Sequence, residues 1–188
     1  MAMLFLLAAC SSSKEESATE QLETMEFSID ETLLGTSVSY VSPALVFRPP
    51  LDWLPVDEAR SRPLLERFGS GDGPLRLAPA AIFLDSLSGC VLVVSGWESD
   101  STRWDAVTQL QQSILEERLA GRELLFNRFL LNEHRCMQSI VRDSVMTNYK
   151  LLLDFGAQLD YLVPLQVHED QVERVESSIG TLKTVPSH

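Results

Sequence analysis

Histidine and cysteine, which often serve in catalysis and metal binding, are scarce in this sequence. It contains only three histidines. None of them (His134, His168 and His188) has a second histidine three or four positions away, so the spacing of a histidine-based zinc site is missing. No Gly-x-Ser-x-Gly segment presents a serine nucleophile, and the glycine-rich segment 69–74 lacks the Gly-Lys-Ser/Thr ending of a phosphate loop. We therefore predict no metal ion and no cofactor, and we expect 69–74 to be a turn-rich loop.

Positive charge is also scarce. The chain has 15 Lys and Arg residues against 27 Asp and Glu residues, which gives a net charge of -12. Such a surface repels nucleic acid, so we predict no nucleic-acid partner. The acidity favours solubility, and the alternative is affinity for a basic partner or for divalent cations.

The amino terminus lacks a hydrophobic run long enough to cross a bilayer, which takes about 20 residues. Its apolar run covers only residues 3–9, and no Lys or Arg precedes it, although signal peptides usually begin with a basic segment. Residues 7–10, Leu-Ala-Ala-Cys, nevertheless resemble the bacterial lipobox, in which small residues precede a cysteine that accepts diacylglycerol. Polar residues follow at once. We predict lipid on Cys10; the alternative is an apolar amino terminus with a chance cysteine.

Composition divides the chain into three parts. Residues 1–9 are predicted to be a lipoprotein signal segment, and residues 10–26, rich in Ser, Glu and Thr, a flexible polar tether. Residues 27–188 are predicted to form one globular domain, since 45% of the chain is hydrophobic and no internal repeat is seen. The expected location is the bacterial cell envelope, outside the cytoplasm. Ser11 favours the outer membrane, if the host has one.

Hydrophobic periodicity in the domain predicts an α+β fold. Helical spacing is found at 56–68, 104–121 and 170–179, and extended patterns at 38–47, 80–84, 90–97, 124–131, 136–141, 149–155 and 159–163. The short polar connections between the last four strands favour antiparallel neighbours. In the last strand, Leu159, Tyr161 and Val163 share one face, and Asp160 and Leu162 share the other. We therefore predict a mostly antiparallel sheet flanked by helices.

The order of these elements resembles the PsbP-like superfamily, which includes the Ran-binding Mog protein. The resemblance lies in the segment 47–53, Phe-Arg-Pro-Pro-Leu-Asp-Trp, which leads a strand into a Pro-x-x-Trp turn, and in the long helix 104–119. It also includes the closing helix, whose end at 175–182 contains Ser-Ile. Asp52 stands where a glycine is more usual. The resemblance implies an α/β/α sandwich and a non-enzymatic accessory role on a larger assembly.

Several side chains are candidates for a site. Cys90 and Cys136 lie in predicted strands, and they are either a disulfide or two buried free thiols. Trp53 and Trp97 end predicted strands and are candidate interface residues, whereas Trp104 falls on an apolar helix stripe and is expected in the core.

Acidic residues beside two histidines offer weaker candidates. Two candidate acid–base clusters are Glu133-His134, in a strand turn, and His168-Glu169-Asp170, at a helix start. For the second, the alternative is that its acidic residues stabilise the helix amino terminus. Asp154 and Asp160 flank a turn without the spacing of a calcium loop, so we expect solvated carboxylates.

Together these features favour a membrane-tethered, non-catalytic accessory lipoprotein that binds a protein partner outside the cytoplasm. The alternative is a small-ligand carrier, or a small envelope enzyme, with a site near Trp53, Trp97 or His134.

Overall fold

A computed structural model describes residues 22–68 and 74–185, and the chain is an α+β protein dominated by antiparallel strands. Its strands are β1 (Val38–Tyr40), β2 (Leu45–Phe47), β3 (Leu54–Pro55), β4 (Leu75–Leu84), β5 (Val91–Ser99), β6 (Glu123–Leu131), β7 (His134–Arg142), β8 (Met146–Leu153), β9 (Ala157–Pro164) and β10 (Lys183–Thr184). Its helices are α1 (Glu58–Phe68), α2 (Trp104–Arg118) and α3 (His168–Gly180). The predictions of Cys10, of the signal segment and of a loop at 69–73 lie outside the described residues.

The main sheet has seven strands in the order β3-β4-β5-β9-β8-β7-β6, and every neighbouring pair is antiparallel. The chain leaves β5, crosses one face of the sheet as α2 and enters the far edge as β6. The meander β6–β9 then returns to β5. Strands β4 and β5 form an antiparallel hairpin, and the predicted run of four antiparallel strands is confirmed.

Two tight turns fix the register of these hairpins. Between β4 and β5, Asp85 accepts hydrogen bonds from the Leu87 amide at 2.9 Å and the Ser88 hydroxyl at 2.6 Å. Burial alone would raise the pKa of the Asp85 carboxyl, but these hydrogen bonds outweigh it and hold the pKa below its ordinary value. Between β6 and β7, Asn132 and Glu133 have φ of 49° and 71°, as the two central residues of a type I′ turn require.

One face of the sheet packs against α3 and against a small sheet of order β1-β2-β10. Its core contains large side chains from both layers, among them Phe47, Phe83, Phe129, Leu159, Tyr161 and Ile179. The Tyr161 hydroxyl lies 3.0 Å from the Ser178 hydroxyl, which donates to the Arg48 carbonyl at 2.7 Å. This hydrogen-bond chain joins the sheet, α3 and β2.

The opposite face carries α2. Its buried stripe includes Trp104, Val107 and Leu115, as the spacing predicts. Trp104 and Val107 form a second, smaller apolar cluster with Leu75, Met137 and Leu152 of the sheet, so Trp104 is a core residue as predicted.

Three local predictions differ from the structure. The extended pattern at 38–47 is two strands, β1 and β2, because a turn with a cis peptide at Ser42–Pro43 divides it. Helix α1 begins at Glu58 and continues through Pro63. Helix α2 begins at Trp104 as predicted but ends at Arg118, three residues before the predicted end at 121.

The chain before β1 contacts the edge strand β6 and then the end of α3. Thr24 forms a parallel bridge to Leu130 of β6, so the end of the predicted tether rests on the sheet edge. Further on, Phe27 and Ile29 pack against Gly180, where a β-carbon would lie 2.8 Å from an Ile29 side-chain carbon. Gly180 therefore permits this close approach. None of the helices in the described ranges is long and apolar enough to cross a membrane.

Candidate functional site

Trp53 is a core residue, and its prediction as an interface residue is wrong. Its side chain is 2% exposed, and its ring lies 6.1 Å from that of Tyr161. The preceding turn explains this: the Trp53 amide donates to the Pro50 carbonyl at 3.2 Å, and Asp52 has a φ of 71°. Asp52 takes the left-handed conformation for which glycine is more usual, and the chain reverses so that the indole packs under the sheet.

Trp97 is half-buried on the opposite face, beside α2. Its indole nitrogen donates to the Leu153 carbonyl at 2.9 Å, and its ring lies 6.3 Å from that of Trp104. The Arg135 guanidinium lies over the Trp104 ring at 5.7 Å, a distance at which a cation–π attraction operates. Trp97 therefore helps to fasten α2 to the sheet, and it does not lie beside Trp53.

His134 belongs to the same end of the sheet as Trp97. Its Nδ1 lies 3.5 Å from Asp154 Oδ1, and its ring meets that of Phe155 edge-on at 4.8 Å. The other Asp154 oxygen accepts from Arg135 Nε at 3.0 Å. Contacts thus link His134 to Trp97 through Asp154, Arg135 and Trp104, and these groups tie β7 to the turn between β8 and β9.

The second histidine cluster also has a structural explanation. His168 begins α3, and Glu169 and Asp170 lie in its first turn, where acidic side chains interact favourably with the helix dipole. His168 Nε2 lies 2.6 Å from the Tyr149 hydroxyl, with the two rings stacked. This pair connects α3 to β8.

The candidate disulfide is not formed: Cys90 and Cys136 are both free and fully buried. Cys90 precedes β5 and Cys136 lies in β7, and two strands separate β5 from β7. Three strand spacings amount to about 14 Å, twice the Cα separation of about 7 Å that a disulfide tolerates. Burial raises the pKa of both thiols above its ordinary value.

Asp154 and Asp160 are engaged by cations and are not solvated carboxylates. Asp154 pairs with Arg135, while Asp160 is buried and pairs with Lys150 across two neighbouring strands. Gln158 adds a hydrogen bond of 2.8 Å to the second oxygen of Asp160. Within 22–68 and 74–185, no group of three or more His, Cys, Asp or Glu side chains could hold a metal ion.

Among the residues that the structure describes, a concave surface lies on the α2-bearing face, at the end of the sheet away from Trp97. It is a groove of about 560 Å³ between the start of α1 and the strands β4, β5, β8 and β9. We call it the apolar groove, and its apolar lining consists of Leu54, Pro55, Val56, Ile82, Leu84, Val91, Met146 and Leu162. The polar part of its lining comes from Asp57, Arg60 and Ser86. A concave site of this size and apolarity is typical of small-molecule binding.

A smaller depression of about 230 Å³ adjoins the apolar groove and shares Met146 and Leu162 with it. We call it the polar recess, because Arg122, Asp143, Asn148 and Lys150 line it together with Leu119 and Val141. Arg122 pairs with Asp143 at 3.4 Å. Amide hydrogen bonds from Val145 and Met146 hold the pKa of the Asp143 carboxyl below its ordinary value, so this partner stays charged.

Exposed apolar side chains surround the same end of the sheet. Leu87, in the turn between β4 and β5, is 96% exposed, and Val145, between β7 and β8, is 67% exposed. Leu54 of β3 is 68% exposed. We call these three residues the apolar rim. Large apolar side chains concentrated beside a groove are a signal of binding, whereas single scattered ones are not.

Sequence reasoning missed this site, although one signal pointed to it. Leu162 shares a strand face with Asp160 and opposes Leu159 and Tyr161, which indicates that both faces of β9 are covered or used. The other wall residues come from separate strands, so only the strand order brings them together.

Comparison with protein-family models finds no model that matches this chain, and comparison with curated proteins finds no match. What the groove binds is therefore inferred from its own residues.

Proposed function

We propose that this protein is a lipid-anchored, extracytoplasmic binding protein that holds an apolar ligand non-catalytically in the apolar groove. The observation that carries the proposal is the groove itself: eight apolar side chains, from five strands and the residue after β3, line a space of about 560 Å³. Aliphatic side chains transfer no protons and supply no nucleophile, but they gain free energy when an apolar ligand displaces water from them.

A groove variant with a matched control tests the binding. Leu84 lines the groove and is 38% exposed, so Leu84→Asp introduces a carboxylate there without opening the core. Val41, in the turn between β1 and β2, is 92% exposed, and Val41→Asp makes the same change of charge elsewhere. We expect the full-length chain to take up the uncharged dye Nile red with increased fluorescence. Leu84→Asp should abolish this increase and Val41→Asp should preserve it. Equal fluorescence from both variants would contradict the proposal.

Anchoring at the membrane is the second part of the proposal, and the lipobox at residues 7–10 supports it. Diacylglycerol on Cys10 would supply two acyl chains, which hold a protein stably where one chain holds it only marginally. We expect the wild-type protein to fractionate with membranes through a high-salt wash and to incorporate a fatty-acid analogue. Cys10→Ala should lose both properties. Equal lipid labelling of the two proteins would contradict the anchor.

The PsbP-like α/β/α arrangement belongs to the same proposal. Helices α2 and α3 lie on opposite faces of one antiparallel sheet, and the order of strands, long helix, meander and closing helix supports the resemblance. It implies an accessory role.

A protein partner at the apolar rim is the second candidate function, favoured by the exposure of Leu87 and Val145. A photo-crosslinking residue placed at position 87 or 145, but not at position 41, should then capture the same protein in intact cells. Equal capture from all three positions would exclude a rim-specific partner.

A further inference from the structure

We infer that the ligand is a single-chain amphiphile whose hydrocarbon chain fills the apolar groove and whose uncharged, hydrogen-bonding head group enters the polar recess. This inference rests on the proposed function, because it takes the groove as the binding site.

The two depressions are adjacent parts of one surface. Met146 and Leu162 line both of them. Met146 begins β8, and Leu162 pairs in register with Asn148, two residues further along the same strand. A ligand lying over Met146 and Leu162 therefore passes from aliphatic side chains at one end to polar side chains at the other.

The lining of the apolar groove favours a hydrocarbon chain over a peptide. A peptide carries an amide donor and a carbonyl acceptor at nearly every residue, and burying them without partners is costly. The groove offers few polar side chains, Asp57, Arg60 and Ser86, against eight apolar ones. A methylene chain needs no hydrogen-bond partner, so the apolar lining accommodates it without leaving a polar group unpaired.

The charges of the polar recess favour a neutral head group. Arg122 is paired with Asp143, and Lys150 is paired with Asp160, so the two cations are matched by two carboxylates. An ionic head group entering the recess would lose hydration without meeting an unpaired opposite charge. The net charge of -12 on the whole chain further disfavours an anionic head.

Asn148 offers a hydrogen-bond acceptor to the head group of the ligand. Its side-chain oxygen is buried and has no hydrogen-bond partner among the described residues, although Asn148 lines the recess. A buried acceptor of this kind gains free energy from a donor. A hydroxyl or amide N–H on the ligand would provide one, as in a monoacylglycerol.

Calorimetry with defined probes tests the inference. The full-length Cys10→Ala chain is used, so that its own acyl chains cannot occupy the groove, and is titrated with monodecanoylglycerol, decanoate and decyltrimethylammonium below their micelle concentrations. We expect the glycerol ester to bind at least about tenfold more tightly than either ion. Affinity within the glycerol esters should rise about fourfold for each added methylene.

Variants separate the head group from the chain. Asn148→Leu should weaken monodecanoylglycerol about tenfold and leave decanoate unchanged. Leu84→Asp should weaken all three probes, and Val41→Asp, at an exposed position that lines neither depression, should change none. Equal affinity for neutral and charged heads, or no effect of Asn148→Leu, would overturn the inference while groove binding stands. Failure of every probe to bind would overturn both the inference and the groove as the binding site.

Discussion

The buried ion pair between Lys150 and Asp160 gives a prediction whose size follows from the structure. The two residues lie opposite each other on β8 and β9, and their side chains are 19% and 7% exposed. Gln158 donates its amide hydrogen to the second Asp160 oxygen at 2.8 Å. Asp160→Leu would remove both interactions and leave the Lys150 ammonium without its carboxylate.

Breaking one partner of a buried pair costs roughly 3–5 kcal/mol, because the remaining charge is not solvated. Lys150 lines the polar recess, so its ammonium can reach water by a change of rotamer. We therefore expect the lower end, about 3 kcal/mol, which corresponds to a fall in Tm of roughly 6–12 °C for a chain of this length. The double variant Lys150→Met with Asp160→Leu removes both charges and should lie within about 1 kcal/mol of wild type.

Urea unfolding of wild type, both single variants and the double variant measures the coupling free energy between Lys150 and Asp160. We expect a coupling of at least about 2 kcal/mol. Circular dichroism in the absence of urea establishes that each variant is folded. The reasoning is refuted if Asp160→Leu unfolds at the wild-type urea concentration, or if the double variant is as unstable as Asp160→Leu alone.

Further predictions concern other buried or strained positions. Trp53→Ala should destabilise the fold by about 3–5 kcal/mol in urea unfolding, because the indole is core; a loss below 1 kcal/mol would contradict this. A thiol reagent should react with Cys90 and Cys136 only in denaturant, and without prior reduction. Glu133→Gly should stabilise by about 0.5 kcal/mol, because glycine adopts positive φ without strain. Asp85→Asn should be destabilising at neutral pH. The pKa of Asp85 is lower in the folded state than in the unfolded state, so its stabilising effect is lost as the pH falls below about 4. The difference in unfolding free energy between wild type and Asp85→Asn should therefore shrink below that pH. A difference that does not change with pH would exclude the carboxylate as its cause.

Local patterns predicted the strands and helices because hydrophobic residues recur with a different period in each, about 3.6 residues in a helix and about 2 in a strand. The apolar alternation of the meander and the helical spacing of Trp104 and Val107 depend on residues close in sequence, and both agree with the structure. The conformations of the turns were harder to predict from the sequence than the strands and helices. Asp52 and Glu133 take positive φ without being glycine, and the cis Ser42–Pro43 peptide splits a segment that reads as one strand.

The sequence by itself determined the element types, the antiparallel class of the sheet and the acidity of the surface. The Leu-Ala-Ala-Cys segment at residues 7–10, which resembles a lipobox, is likewise a short local motif. Only the tertiary structure decided which side chains meet. It buried Trp53, separated Cys90 from Cys136 by two strands, and brought Leu54, Leu84, Met146 and Leu162 from four strands to one groove. The physical reason is that strand order in a sheet is set by long-range packing, whereas periodicity reports only the face on which each residue lies.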